Sequence, residues 1–557
     1  MKKLLTLLIF FQLAHGYCAA QCGRPSSVTA LYSNDMRVFI SNSGDMFRDG
    51  NNYGEFRFAA EGLPGTTTIL AQGLWVAGID PGGNLRGAAQ DYIMGQTRSD
   101  FAAGPVNTEQ SFDASYCQNW NRIWSVARHE VEAHIIDFED NQQIDNPISS
   151  LMEWPGKGNP FFEVRLGFPL PVISHDLAPF YDRNNDGIYN PLEGDYPRIP
   201  NLSIIPEQIS WTVFNDVHRN ISQSQFPSAG LEIHLCTWAL DCTDNTMLNR
   251  TIFMKYSFIN RGTERLDSTY MGLWHNFEVG CFSDDYVGSS PQHQAFFAYN
   301  SDPVDETHCI TGESFFGAYP PAQAVSILNR PLHAFVYTSS PSMDPANPTA
   351  FYNVLTGRHA DGTPITAAGS GYNTAGPITR YAYHGDPRDA DEWTMYDVQW
   401  GLPYRLARSI GSVDLGTLNP GEQTAVELAY LFVREPGLGH LENVGAMYEQ
   451  LEILREQYAN GFSDNCAQAI LSSETEQQHP QAFAVFPNPA GDRLHFRFEG
   501  QRINSLELTT LSGHTALSFK GPFWDAMDVD VSTLPAGMYF VKMEQNGAVI
   551  VKKLIKH

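Results

Sequence analysis

Val529-Asp530-Val531-Ser532-Thr533-Leu534-Pro535-Ala536-Gly537-Met538-Tyr539-Phe540-Val541-Lys542 reads as strand, turn, strand. Apolar and polar residues alternate on either side of Leu534-Pro535-Ala536-Gly537, and a period of two is what a half-buried strand requires. Pro535 and Gly537 supply the turn. The same grammar continues outward. Val485-Phe486-Pro487-Asn488-Pro489-Ala490 opens the region and Asp492-Arg493-Leu494-His495-Phe496 alternates. Leu506 to Leu511 runs into Ser512-Gly513, and a basic strand, Val549 to Lys556, closes the chain. About seven short strands joined by Gly, Pro and Asn turns predict a small seven-stranded β-sandwich over 482–557.

Upstream, the pattern recurs on a larger scale. Strands are expected at Met36 to Ile40, Thr68 to Ala77, Ser210 to Phe214, Glu232 to Leu240, Thr251 to Asn260, Thr269 to Trp274, Ala295 to Tyr299 and Thr424 to Arg434. Pro303 to Pro387 is loopier, with surface loops at Pro341 to Pro348 and Ala367 to Gly376. One segment, Leu441 to Tyr458, is helical: Val444, Met447, Tyr448, Leu451 and Leu454 recur at helical spacing. Residues 472–481, rich in Ser, Glu and Gln, read as a flexible linker. The fold class is therefore mainly β. A large β-sandwich-type region over 21–471, divisible into two subdomains and carrying one late helix, precedes the small sandwich.

Composition bounds the function. The chain has 557 residues, 42% apolar and 17% charged, which suits a folded, turn-rich protein. Its net charge of −27 argues against a nucleic-acid partner, because phosphate binding needs clustered Lys and Arg. Met1 to Ala20 reads as a signal peptide: Lys2 and Lys3, an apolar run from Leu4 to Leu13, then Cys18-Ala19-Ala20 as a small-residue cleavage site. Cleavage there leaves Cys22, Cys117, Cys236, Cys242, Cys281, Cys309 and Cys466, an odd number that leaves one without an intrachain partner. Cys236 and Cys242 are close enough for a local bridge, and disulfides are the expected chemistry outside the cell.

The terminal motifs, from Val485-Phe486-Pro487-Asn488-Pro489-Ala490 to the final basic strand, closely resemble the type A C-terminal sorting domain of Bacteroidetes type IX secretion cargo. The resemblance spans roughly 482–557 and implies Sec export, then passage through the type IX translocon. It further implies removal of the domain by a sortase, with release or attachment to surface lipopolysaccharide. A second run, including Ser43-Gly44-Asp45-Met46, Gly73 to Asp80 and Trp211-Thr212-Val213-Phe214-Asn215-Asp216, resembles a group of large Bacteroidetes surface proteins. That group supplies no catalytic residues to carry over.

The most chemically specific motif is Asp182-Arg183-Asn184-Asn185-Asp186-Gly187-Ile188-Tyr189-Asn190-Pro191-Leu192-Glu193. Asp182, Asn184, Asp186, Asn190 and Glu193 place side-chain oxygens at positions 1, 3, 5, 9 and 12, with Gly187 at 6 and the Ile188 carbonyl at 7. That is the ligand spacing of an EF-hand calcium loop, and oxygen-only ligands select Ca²⁺ over zinc or copper. The flanks are loop-like, as in isolated calcium loops of dockerins and thrombospondin-type repeats.

Candidates for catalysis are weaker. In His129-Glu130-Val131-Glu132-Ala133-His134 the two His are five apart, off a shared helical face, and Ile123 to Val126 reads as a strand. Asp284-Asp285 is a carboxylate pair in a turn, readable as solvated, as a second cation site or as an acid/base pair. Trp274, His275, Glu278 and Asn215-Asp216 are candidates to line the same cleft. No nucleophile elbow, phosphate loop or dinucleotide fingerprint is present. Two functional classes follow: adhesion or binding of a glycan or protein ligand, and hydrolysis of polysaccharide or protein. A cleft with two carboxylates about 5–9 Å apart favours the second; an aromatic-lined one without such a pair favours the first.

Overall fold

In a computed structural model the described residues are 22–32, 35–48, 53–58, 65–90, 99–106, 114–171, 177–217, 224–242, 245–305, 315–338, 345–398, 407–435, 437–462, 484–486, 490–510, 515–545 and 548–556. The expected signal peptide, the linker, Pro487 to Pro489 and Ser512-Gly513 lie outside them. The chain divides into two compact units, Met1–Gln468 and Ala469–His557.

The alternating segments of the first unit become strands: Met36–Ser41, Thr66–Ile79, Gln208–Asn215, Leu231–Ala239, Thr251–Asn260, Leu266–Phe277, Ala295–Asn300 and Gln423–Val433. They build two nine-stranded sheets. One runs in the order Val28–Tyr32, Met36–Ser41, Phe56–Phe58, Thr66–Ile79, Leu266–Phe277, Ala407–Leu418, Ala334–Thr338. The other runs Asp285–Ser290, Ala295–Asn300, Ala322–Ile327, Gln423–Val433, Thr251–Asn260, Leu231–Ala239, Gln208–Asn215, Ala102–Ala103. Their ladders are antiparallel, as hairpin-connected strands require.

The sheets face one another in a sandwich-like core. Phe58 stacks on Phe432 across the interface at 4.3 Å, and Gln72 Nε2 donates to Tyr256 Oη at 3.0 Å. Thr68 Oγ1 donates to Gln323 Oε1 at 2.7 Å, so these polar groups between the sheets satisfy each other. Truncating an aromatic such as Phe58 there costs about 3–5 kcal/mol.

Outer faces are covered as well. The expected helix appears as His440–Ala459 and lays Val444, Met447, Leu451 and Leu454 on strands Gln423–Val433 and Ala322–Ile327. It is one of seven α-helices among the described residues, so the expectation of a single late helix undercounts them. Pro348–Leu355 seals the other sheet by setting Phe351 edge-on to Trp75 at 4.8 Å. It lies in a stretch expected to be loop, and its start is set by Asn347, which accepts from Ala350 N at 3.1 Å, and by Pro348, which needs no donor partner in the first turn. Strand Trp124–Ala127 runs straight into helix Arg128–Asn141.

Cys22 is bonded to Cys117, and Cys242 and Cys281 are each disulfide-bonded too. Among the described residues Cys236 is a buried free thiol. The local Cys236–Cys242 bridge expected from spacing is therefore wrong: Cys236 sits mid-strand facing Lys255, while Cys242 has left the sheet.

The C-terminal unit is a five-stranded sheet around Leu494, Phe496, Leu506, Leu508, Val541 and Leu554. Its two longest strands, Arg493–Thr510 and Thr515–Asp530, pair with register shifts between Phe498 and Ser505. Bulges of this kind bend a strand. Each long strand therefore supplies two of the short segments read from sequence. Pro535 ends the turn before Gly537–Gln545, where its carbonyl accepts from Tyr539 Oη at 3.0 Å.

Candidate metal centre and adjoining cavity

The loop 182–193 is closed at its base by a two-residue ladder, Tyr181 against Tyr196 and Phe180 against Pro197, with the two tyrosine rings stacked at 4.8 Å. Asp195 fixes both arms from beneath. Fully buried, it accepts from Arg183 N at 2.9 Å and from Asn190 N at 2.8 Å. Helix Arg128–Asn141 backs the loop: the Arg183 guanidinium lies 4.7 Å from the centre of the Phe138 ring, and buried His134 hydrogen-bonds the Asp195 backbone. Burial holds His134 down at about 4, so it packs as a neutral imidazole against the loop.

Inside the loop the turn follows from left-handed backbone at Asn185 (φ 59°) and Gly187 (φ 78°). Asp182 accepts from Gly187 N at 2.7 Å and from Asp186 N at 3.3 Å. Asp186 accepts from Ile188 N at 2.8 Å. Asn184 Nδ2 donates to Asp186 Oδ2 at 3.1 Å and to Glu193 Oε2 at 2.7 Å, and Asn190 Nδ2 donates to Glu193 Oε1 at 2.8 Å. The side chains at positions 1, 3, 5, 9 and 12 thus belong to one hydrogen-bonded ring. Their chemistry fits a hard cation, with Asn184 and Asn190 turning amide oxygens inward in place of nitrogens. The carboxylates of Asp182, Asp186 and Glu193 are not drawn within 4.8 Å of one another; among the described residues that closeness occurs at Cys281, Asp284 and Asp305.

Asp182 and Gly187 also line a cavity of about 530 Å³. Its other walls include Lys157, Phe180, Trp211, His234, Cys236 and Lys255. Trp211 meets His234 edge to face at 5.3 Å, and His234 Nε2 lies 2.8 Å from Glu232 Oε1, which Arg261 also engages at 2.9 Å. Burial opposes ionisation of Glu232, but His234 and Arg261 outweigh it and hold the carboxyl at about 2. Burial pushes the Cys236 thiol up to about 12, which rules it out as a thiolate nucleophile at neutral pH. Lining groups come from residues 157 to 423, which is why no sequence window reveals the cavity.

Residues 484–557 match the secretion-system C-terminal sorting domain. The chain is a type IX secretion cargo. It is exported, to the medium or to the outer cell surface, and its sorting domain engages the secretion machinery. No helix among the described residues is long and apolar enough to cross a membrane. No curated protein matches this cargo. Among solved structures it is similar to a polysaccharide lyase, at 9% identity over 60% of this chain, with a TM-score of 0.18. The match spans 34% of that enzyme's chain, and at this level of likeness it bears no weight.

Other candidates in the cargo do not form one cleft. Trp274 and His275 are neighbours on a strand and point to opposite faces. Trp274 joins the cluster with Trp75 and Phe351, while His275 packs among Phe277, Phe296 and Tyr430. Asp216 is a buried cap that accepts from Leu231 N at 2.7 Å. Nor is Asp284-Asp285 a solvated turn: Asp285 is fully buried. A second cavity, of about 390 Å³, gathers His293, His384, Asp386, Glu392, Glu449 and Glu452, with Arg388 bonded to both oxygens of Asp386. Carboxyls held above their ordinary range are Glu132, Asp195, Asp285 and Asp305, each mainly by burial, and none lines either cavity.

Proposed function

We propose that the exported region is a calcium-stabilised binding protein, acting outside the cell in adhesion or ligand capture. The observation that carries this reading is the shared wall. Asp182 and Gly187 belong both to the loop of calcium spacing and to the cavity holding Trp211 and Phe180. Ca²⁺ held by Asp182, Asn184, Asp186, Asn190, Glu193 and the Ile188 carbonyl would fix that wall and supply structural charge, not a reaction step. The lining has one carboxylate, Asp182, where a glycosidase uses two. A glycan or a protein segment packing against the half-buried Phe180 fits such a lining. After export, cleavage by a sortase with attachment to surface lipopolysaccharide, or release, is part of the same reading.

Hydrolysis of polysaccharide or protein is the second reading, and the four carboxylates around the smaller cavity are the observation for it. Screening the purified protein on glycan and protein arrays, alongside a turnover assay on the same substrates, separates the two. Binding that disappears with a chelator, without turnover, is the expected outcome; chelator-insensitive turnover supports the hydrolase.

A further inference from the structure

A second group of oxygens lies far from the loop in sequence, at one end of the second sheet. Asp285 opens strand Asp285–Ser290 and stands directly opposite Asn300, the last residue of Ala295–Asn300. Opposed residues of an antiparallel pair share a face, with Cβ atoms about 5 Å apart. Asp305, beyond the hairpin, comes near enough for its charge to act on Asp285. Its Oδ1 accepts from Cys281 N at 2.8 Å, its Oδ2 accepts from Phe316 N, and an oxygen of Asp284 comes within 4.8 Å of one of its own. The approach is close enough that a Cβ on Gly280 would meet Asp305 Oδ2 at 1.9 Å.

Two features point to a ligand. Asp285 and Asn300 are both fully buried, yet Asp285 Oδ1 and Asn300 Oδ1 have no hydrogen-bond donor. The other atoms of the same groups are placed: Asp285 Oδ2 accepts from Val279 N at 2.9 Å, and Asn300 Nδ2 donates to the Asp302 carbonyl at 3.0 Å. Each side chain is therefore oriented, with one acceptor left over. Leaving a buried acceptor unsatisfied costs about 1–3 kcal/mol, more for a charge. Arg434, the cation whose charge reaches Asp305, gives its hydrogen bonds to the carbonyls of Phe316, Ala318 and Tyr319. Buried acceptors without donors are what a cation satisfies. Cys281 is disulfide-bonded, so its sulfur is no thiolate and the ligands are oxygens.

We propose that Asp284, Asp285, Asn300 and Asp305 form a second, buried calcium site, which ties the two ends of the Asp285–Asn300 hairpin to the short strand Val304–Asp305. Three carboxylates and one amide oxygen are a hard-cation ligand set. Such a site staples the edge of the sheet and stands independently of the loop 182–193.

The test is equilibrium dialysis of the full chain at about 1 mM free Ca²⁺, near the range of extracellular sites, counting bound metal per chain. A chain carrying Asp186→Ala and Glu193→Ala, silenced at the loop, is expected to keep one Ca²⁺ and a calcium-dependent rise in Tm. Adding Asp284→Asn and Asp305→Asn is expected to remove both. A folded, loop-silenced chain that binds no Ca²⁺ overturns the buried site, even if the further variant fails to fold. Binding unchanged by the loop substitutions but lost with the cluster ones supports the buried site and rejects the loop. Retention of that Ca²⁺ in the cluster variant overturns the proposal.

Discussion

Asn184 donates to Glu193 Oε2 at 2.7 Å, joining the third and twelfth residues of the loop across its open side. Glu193 takes Asn190 on its other oxygen, so one carboxylate holds two arms of the ring. Glu193→Ala is expected to open the loop. Limited proteolysis reads this directly: the wild type should gain protection between 182 and 193 when Ca²⁺ is added, and the variant should be cut equally with and without it.

Asp195 governs the loop from below. Removing its carboxylate leaves the amides of Arg183 and Asn190 without their acceptor in a buried setting. Asp195→Ala should destabilise the exported region by about 2–4 kcal/mol. The loss should appear in urea unfolding of the full chain. A variant matching the wild type there would show that the base of the loop is not held as described.

His275 gives the cargo an acid-side sensitivity. Burial among Phe277, Phe296 and Tyr430 holds it at about 3, although Nδ1–H donates to the Leu273 carbonyl at 3.3 Å. In the unfolded chain it titrates near 6.5. The folded value is depressed, so the unfolded state binds more protons between the two. Stability from this residue is present above about 6.5 and is lost as pH falls toward 3. Between pH 6.5 and 4.5 the wild type should lose about 2–3 kcal/mol more than His275→Phe. Parallel stability curves would contradict the assignment.

Export rests on the last unit. A chain ending before residue 484 lacks the sorting domain and should accumulate inside the outer membrane, whereas the full chain reaches the surface or medium. Cell fractionation with an antibody to the exported region distinguishes these. Normal export of the shortened chain would break the link between domain and route.

Much of the fold was legible because its signal is local. Strands such as Thr251–Asn260 and Gln423–Val433 announce themselves by runs of β-branched and aromatic residues between turns, and helix His440–Ala459 by its apolar stripe. Helix Arg128–Asn141 was not, because its buried side includes His134 and Asp137 beside Val131, Ile135 and Phe138, which blurs the period. The calcium spacing was legible since all its residues lie within twelve positions. By contrast, Asp285 looked solvated because its partners, Asn300 and Asp305, arrive from another strand and the segment beyond it. The cavity was hidden for the same reason: Trp211 and Lys255 meet Asp182 only in the folded sheet.

Calorimetric titration of the purified full chain with Ca²⁺ tests the central claim most directly. We expect saturable heat at the weak extracellular affinity of about 10⁻⁴–10⁻³ M. Asp186→Ala should remove the part due to the loop. No heat from the wild type, or a titration left unchanged by Asp186→Ala, would contradict a calcium-stabilised wall on the binding cavity.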